Sequence, residues 1–213
     1  MRETDTMTND ESQRQHPPWN DSYTAESPAP WDIGRPQPAF VRLADAGCLT
    51  GIVLDAGCGT GEHTLLAASH GADAIGIDVA SAAIEQARAK AADRGLTARF
   101  TVGDALDIGP LGLAGTIDTV IDSGVFHVFS DEDRPRYVAS LASVLRPAGI
   151  TYLMCFSDRQ PGDFGPRRVS QDELREAFAA GWTVESISAD SFEINPMMGA
   201  THAEAWLAVI RRG

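Results

Sequence analysis

The chain has 213 residues, 43% of them hydrophobic and 22% charged, with a formal net charge of −13. This length and composition fit one globular domain with a substantial core. The acidic field disfavours a nucleic-acid substrate, no apolar run is long enough to span a membrane, and the polar N-terminus is unlike a secretory signal. Cys48, Cys58 and Cys155 lack metal-ligand spacing, so we expect a cytoplasmic protein with reduced thiols and no metal site.

The first part of the chain divides into a tail and a cap. Residues 1–20 are polar and show no helical or strand periodicity, so we expect a disordered tail. A single domain is predicted over residues 21–213, with residues 21–47 as its N-terminal cap segment. Trp19, Tyr23 and Trp31 lie among prolines here, and linkers seldom contain so many aromatic residues. A short helix is predicted over residues 39–47, with Gly47 at its end.

A glycine-rich turn follows the first predicted strand. Residues 52–54 (Ile-Val-Leu) suit a strand that is buried on both faces. The glycines Gly57, Gly59 and Gly61 then alternate with other residues, and a helix is predicted from Glu62 to Ser69. In α/β folds, a turn of this kind at the carboxyl end of a parallel strand is where a nucleotide-like ligand binds.

Two acids around this turn indicate the ligand. The dinucleotide fingerprint has a glycine where this chain has Glu62, and a carboxylate there would repel pyrophosphate. Acids at Asp55 and Glu62 suit S-adenosylmethionine (SAM), which has a positive amino-acid end and no phosphate. The residues Asp55 to Gly61 resemble motif I of the class I SAM-dependent methyltransferases. An NAD-dependent oxidoreductase and a non-catalytic SAM-binding module are the alternatives.

An acid also ends the second predicted strand, which covers residues 72–78. Asp78 lies 21 positions after Gly57, the spacing at which doubly wound folds place a carboxylate on the two ribose hydroxyls. The alternative is that Asp78 caps the next helix (81–94), but Ser81 is a better N-cap residue. Asp78 and its neighbour Val79 are therefore predicted to bind the cofactor.

The resemblance extends along the chain on both sides of this region. After the third predicted strand (98–102), it implies that Asp104 accepts from the adenine amine and that the Ala105 amide faces a ring nitrogen. Alternatively, Asp104 only caps its loop. After the fourth strand (117–121), the family motif implies that Asp122 and Ser123 contact the methionine part of SAM.

The N-terminal segment carries a further resemblance. Residues 30–38 (Pro-Trp-Asp-Ile-Gly-Arg-Pro-Gln-Pro) are similar to the element that folds over the cofactor in small-molecule methyltransferases of the thiopurine-methyltransferase-like group. By that resemblance Trp31 flanks the SAM pocket. Alternatively, Trp31 fills the edge of the core, since buried tryptophan is common.

His127 is the candidate catalytic residue. It follows a central strand, and its ordinary pKa suits removal of a proton from the acceptor near neutrality. The alternative is that His127 is a structural histidine. The predicted loop 157–169 is a candidate lid, in which Arg167 or Arg168 either pairs with an acidic acceptor or is a surface charge.

The remaining pattern completes the predicted fold. It predicts a helix with Ser130 as N-cap that ends by Pro147, then a strand over 150–156. A capping box at residues 170–173 opens a helix that Gly181 ends, and strands follow over 182–188 and 203–211. Residues 192–202 are expected to form a wall of the acceptor pocket.

The resemblance covers residues 30–211 and implies a three-layer α/β/α doubly wound sheet of seven strands, with the last strand antiparallel. The implied activity is transfer of a methyl group from SAM to a small, aromatic or heterocyclic acceptor at oxygen, sulfur or nitrogen. No nucleic-acid or membrane partner is expected.

Overall fold

A computed structural model describes residues 19–25, 28–163, 165–197 and 200–213. Residues 1–18, most of the predicted disordered tail, lie outside the described residues. The last two residues of that predicted tail belong instead to a short helix, α1 (Trp19–Ser22). The helical part of the N-terminal segment therefore begins before residue 21.

Strands and helices alternate along the rest of the chain, except that β4 follows β3 and β7 follows β6 without an α-helix between them. After α2 (Pro38–Asp45), they follow in the order β1 (Ile52–Ala56), α3 (Glu62–Ser69), β2 (Asp73–Asp78), α4 (Ser81–Arg94), β3 (Arg99–Val102), β4 (Ile117–Ser123), α5 (Asp133–Val144), β5 (Leu145–Phe156), α6 (Gln171–Ala177), β6 (Trp182–Met197) and β7 (Ala200–Arg212). Within the described ranges, no helix has both the length and the apolar character needed to cross a membrane.

The seven strands form one sheet in the order β3-β2-β1-β4-β5-β7-β6. The pairs among the first five strands are parallel, whereas β7 runs antiparallel to both β5 and β6. This confirms the predicted fold, including the antiparallel last strand between its neighbours. The strand order reverses next to β1, and ligands bind at such a switch point in doubly wound folds.

The two faces of the sheet are covered by different helices, because successive side chains of a strand point to opposite faces. Leu54 of β1 belongs to a core cluster with Tyr137 of α5 and Leu174 of α6. Its neighbour Val53 belongs to a second cluster with Phe40 of α2 and Ala67 of α3. This arrangement gives the predicted three layers.

The C-terminal third differs most from the expected boundaries. β6 runs to Met197 and β7 begins at Ala200, so residues 192–197 and 200–202 are strand and not an irregular connection. This part of β6 contains Pro196, which argues against a strand, and for this reason its sequence did not indicate one. α6 ends at Ala177, before Gly181, although Ser170 and Glu173 do form the predicted capping box at its start.

Candidate active site

A cavity of about 940 Å³ lies at the carboxyl ends of the parallel strands. It is at the upper end of the size range of small-molecule sites, about 300–1,000 Å³. The residues that follow β1, β2, β3, β4 and β5 all contribute to its wall. The predicted site residues that line it are Trp31, Gly57, Gly59, Asp78, Val79, Asp104, Ala105, Ser123 and His127.

Asp78 connects the glycine turn to the end of β2. One carboxylate oxygen accepts from the Gly59 amide at 2.9 Å and the other from the Ala80 amide at 2.8 Å. Burial raises the pKa of Asp78, and the amide hydrogen bonds oppose this. A carboxylate can accept about four hydrogen bonds, so the two amides leave acceptor capacity on the cavity side. That capacity is what two vicinal hydroxyls need.

The residues that were predicted to bind the adenosine part of the cofactor line the same cavity. Asp104 accepts from the Leu106 amide at 2.8 Å, so it does cap its own loop, and it also borders the cavity. Val79 is 40% exposed and Trp31 is 44% exposed, and both line the same cavity. Large apolar side chains with this exposure at a cavity offer surface to a flat ring.

Asp55 lies beneath the glycine turn and does not line the cavity. One of its oxygens accepts from both the amide and the hydroxyl of Thr64, at 3.0 and 2.7 Å. Burial raises the pKa of Asp55 to about 7, although the bonds from Thr64 oppose the shift. Asp55 therefore fixes the start of α3. Its side chain does not face the cavity, so the prediction of a direct contact with the ligand is corrected.

Asp122 has a similar place beneath the turn after β4. It is fully buried and accepts from the Val125 and Phe126 amides and from the Tyr137 hydroxyl, at 2.8, 3.1 and 2.8 Å. Burial raises its pKa to about 7, and these bonds oppose the shift. Only its neighbour Ser123 faces the cavity, so the side chain of Asp122 shapes the loop.

Gly61 and Glu62 also have structural partners. A Cβ on Gly61 (φ 87°) would lie 2.8 Å from Ala87 and 2.9 Å from Phe100, so this glycine permits packing of α4 on β3. Glu62 borders the cavity, but its carboxylate is held by Lys90 and Arg94 at 2.8 Å. Although burial favours the neutral acid, these cations lower its pKa. The expectation that Glu62 meets a positive ligand is therefore wrong.

Residues 19–25 and 28–37, here called the strap, cross the glycine turn. Its Asn20 side chain accepts from the Ser81 hydroxyl at 3.2 Å and the Ala82 amide at 3.0 Å, and so caps α4 from outside that helix. Its Asp32 accepts from the Thr60 hydroxyl at 3.0 Å. These contacts hold the strap on the loop that precedes α3 and on the start of α4.

An aromatic group within the strap faces the turn. The Trp31 indole nitrogen donates to the Tyr23 hydroxyl at 3.0 Å, and the rings of Trp19 and Trp31 are 5.7 Å apart. A Cβ on Gly59 would lie 3.0 Å from the Tyr23 hydroxyl. The missing side chain of Gly59 thus lets Tyr23 approach the turn. The sequence pattern indicated an aromatic segment here but gave no signal that Tyr23 lines the cavity.

The other side of the strap binds the extended part of β6. Gln37 exchanges hydrogen bonds with the Glu193 backbone, at 2.9 and 2.8 Å. The Asn195 side chain donates to the carbonyls of Ala29 and Asp32, at 2.8 and 2.7 Å. These partners are far apart in the chain, so no local signal in the sequence connects them.

His127 lies in the remaining, aromatic part of the cavity. Its ring is 5.0 Å from that of Phe156 and 6.0 Å from that of Phe192. The Phe156 amide donates to Nδ1 at 2.9 Å, so Nδ1 carries no proton. Burial, aided by the charges of Arg134 and Arg168, lowers the pKa of His127 to about 3. The neutral ring therefore has its proton on Nε2 and acts as a donor, which argues against the predicted base.

The arginines near this part of the cavity are engaged with the protein. Arg35 pairs with Glu193 at 2.9 Å. Arg167 pairs with Asp131 and Glu173, both at 2.5 Å. Arg168 donates to backbone carbonyls of its own loop. The expected pairing of Arg167 or Arg168 with an acidic acceptor would require these contacts to break.

Sequence comparison identifies similar proteins. The family model described as "Methyltransferase domain" matches residues 53–149. The 2-heptyl-1-hydroxyquinolin-4(1H)-one methyltransferase of Mycobacteroides abscessus is 40% identical over 177 residues, which cover 78% of this chain and 77% of that protein. The probable thiol methyltransferase 2 of Arabidopsis thaliana is 27% identical over 192 residues, which cover 88% of this chain and 83% of that protein.

A solved structure also matches most of the chain. It is described by the words "Conversion of a Disulfide Bond into a Thioacetal Group during Echinomycin Biosynthesis". It is 39% identical, has a TM-score of 0.82, and the match covers 91% of each chain. The similarity therefore includes regions on both sides of the segment matched by the family model.

Proposed function

Since the chain belongs to the SAM-dependent methyltransferases, we propose that it methylates a heteroaromatic acceptor at a ring-bound hydroxyl oxygen. Family membership makes SAM the methyl donor and removes the NAD-dependent oxidoreductase and the non-catalytic module as alternatives. The acceptor class is supported by the M. abscessus relative, whose name gives a hydroxyquinolinone as its substrate.

The residues around the glycine turn fit SAM. Asp78 would accept from the ribose hydroxyls, Asp104 and Ala105 would hold the adenine, and Ser123 would contact the methionine part. Gly57 and Gly59 line the cavity without a side chain, and the space this leaves lets Val125 and Tyr23 approach the turn beside the bound ligand. When bound, SAM supplies a methyl carbon that a positively charged sulfur activates.

The observation that carries the acceptor proposal is the position of His127 between aromatic rings, with its Nδ1 held by the Phe156 amide and its Nε2 left to donate. Phe156 and Phe192 provide apolar faces for a flat ring, and their rings are 5.6 Å apart. The Nε2 proton of His127 donates to the acceptor oxygen and stabilises its anionic form. A heteroaromatic hydroxyl that ionises near neutrality gives its proton to solvent, so no protein base is required. Fixing the acceptor in line with the methyl group supplies about 7–11 kcal/mol.

The test is a comparison of four acceptors under identical conditions: 2-heptyl-1-hydroxyquinolin-4(1H)-one, unsubstituted 1-hydroxyquinolin-4(1H)-one, benzenethiol and benzoate. Release of S-adenosylhomocysteine (SAH) and the mass of the product are measured. We expect O-methylation of the two hydroxyquinolinones and no turnover of benzoate. A higher kcat/KM for benzenethiol would instead assign a thiol acceptor, and turnover of none of them would contradict the proposal.

His127→Asn tests the donor role separately. The Asn side-chain oxygen can still accept from the Phe156 amide, but the donor at the position of Nε2 is lost. We expect kcat/KM to fall about 100-fold and the affinity for SAH to stay within twofold. The pH profile of the wild-type protein should follow ionisation of the acceptor. A different result would restore the role of His127 as a base. In that case the acid limb of the pH profile would lie at the same pH for every acceptor and would be absent in His127→Asn.

A further inference from the structure

The loop between β5 and α6 closes on itself. The Val169 amide donates to the Phe156 carbonyl and the Asp158 amide donates to the Val169 carbonyl, both at 3.0 Å. The two ends of the loop are thus side by side, as in a compact Ω-loop. Residues of this loop that line the cavity are Gln160, Pro161, Gly165, Pro166 and Arg167. The loop therefore forms a wall beside the aromatic chamber.

Arg168 holds the inside of this loop together. Its guanidinium donates to the carbonyls of Gln160, Pro166 and Gly162, at 3.2, 2.5 and 2.8 Å, and more weakly to that of Pro161 at 3.4 Å. Several carbonyls that point towards one centre need a planar group with several donors. Arginine has five N–H donors in a fixed plane, whereas lysine has one compact ammonium group.

The same guanidinium connects the loop to the reacting part of the cavity. It lies 5.5 Å from the centre of the Phe156 ring, against which His127 packs. Its charge is also one of the causes that keep the pKa of His127 low, after burial and Arg134. Arg167 has a different role, because it pairs with Asp131 and Glu173 and so attaches the loop to the segment before α5 and to α6.

We propose that Arg168 is a positioning residue that sets the shape of the acceptor chamber by holding the carbonyls of residues 160, 161, 162 and 166 around one guanidinium. It determines which acceptors fit and how tightly they are held, without contacting SAM. The inference rests on the proposed function for its acceptor readout, but the order of the loop can be measured without any acceptor.

Arg168→Met removes the donors and keeps much of the side-chain length. Arg159→Met is the matched control, because Arg159 belongs to the same loop and its substitution removes the same positive charge. Its partners lie on β7, with Glu204 at 3.7 Å and the Trp206 ring at 5.8 Å. Arg168→Lys keeps the charge without the planar fork. Three properties are measured for each variant and for wild type. They are the hydrogen–deuterium exchange of residues 157–169, the affinity for SAH, and the steady-state kinetics with 2-heptyl-1-hydroxyquinolin-4(1H)-one and its unsubstituted parent.

In Arg168→Met we expect faster exchange across the loop and SAH affinity within twofold of wild type. The KM for the heptyl compound should rise about tenfold, and the preference between the two acceptors should decrease. In loop exchange and in acceptor kinetics, Arg168→Lys should resemble Arg168→Met, and Arg159→Met should resemble wild type. Unchanged loop exchange in Arg168→Met, or equal effects of Arg159→Met, would overturn the inference. If wild type methylates neither acceptor, the proposed function fails, and loop exchange alone decides the role of Arg168.

Discussion

The neutral state of His127 predicts how the stability of the protein depends on pH. Burial lowers its pKa to about 3 in the folded protein, whereas a histidine in an unfolded chain has a pKa of about 6.5. Between these values the unfolded chain binds a proton that the folded protein does not. The free energy of unfolding therefore decreases as the pH falls below about 6.5, by about 1.4 kcal/mol per pH unit. At pH 5.0, about 1.5 units lower, the loss from this one residue is about 2 kcal/mol.

His127→Asn isolates this contribution. The free energy of unfolding is measured by urea titration at pH 7.5 and pH 5.0 for wild type and variant. Asp55 and Asp122 act in the opposite direction, since their raised pKa values of about 7 stabilise the fold at low pH, and this stability is lost as the pH rises through 7. Their contributions are common to both proteins and cancel in the comparison. We expect wild type to lose about 2 kcal/mol more than the variant between the two pH values.

The control is His70→Asn, since His70 is exposed and lies on α3's C-terminal side, away from the cavity. As a substitution at the protein surface, it should change the pH dependence less than His127→Asn does. If His127→Asn also changes the pH dependence by less than about 0.5 kcal/mol, His127 ionises as it does in the unfolded chain. The argument for a neutral donor would then be refuted.

Three further substitutions test other parts of the site. In urea titrations, Gly61→Ala should lower the free energy of unfolding by about 2–4 kcal/mol. Gly71 has a similar φ but open space around it, so Gly71→Ala should lower the free energy of unfolding by only about 1–2 kcal/mol. Asp78→Asn should weaken binding of methylthioadenosine about 10–100-fold by calorimetry and weaken binding of its 2′-deoxy form less; equal losses would contradict the ribose contact. Glu62→Gln should lower stability by about 2 kcal/mol and leave SAH affinity within twofold, because Glu62 serves Lys90 and Arg94.

The sheet and the cofactor side could be predicted because their signals are local. β1 is a short apolar run followed at once by the glycine turn, and Asp78 has a fixed spacing from that turn. In a parallel sheet, residues at strand ends meet at one edge whatever their separation in the chain. The sequence could therefore predict that Asp78, Asp104 and Ser123 lie together around one cavity.

The direction of a side chain at a strand end is harder to predict. Asp55 and Asp122 both belong to strands that end at the cavity, and both were expected to contact the ligand. The Asp55 carboxylate instead accepts from Thr64 in the first turn of α3, and the Asp122 carboxylate accepts from the amides of the turn after β4. Both acids are buried. From the sequence, an acid at the end of a strand can either contact a ligand or hold the backbone that follows. Only the packing of the next helix decides between these two roles. Glu62 was misinterpreted for the same reason, since its partners come from α4.

The part of the cavity around His127 depends on contacts between distant parts of the chain. One strand, β6, links it to the part around the glycine turn. Phe192 packs beside His127, and the next residue, Glu193, binds Gln37 of the strap through its backbone. The wall of the acceptor chamber and the support of the strap over the glycine turn are therefore adjacent residues of β6. A shift of β6 that reshapes the acceptor wall must also move the anchor of the strap. Under the proposed function, we therefore expect substitutions in the Arg168 loop to change acceptor specificity with less effect on the strap than substitutions in β6.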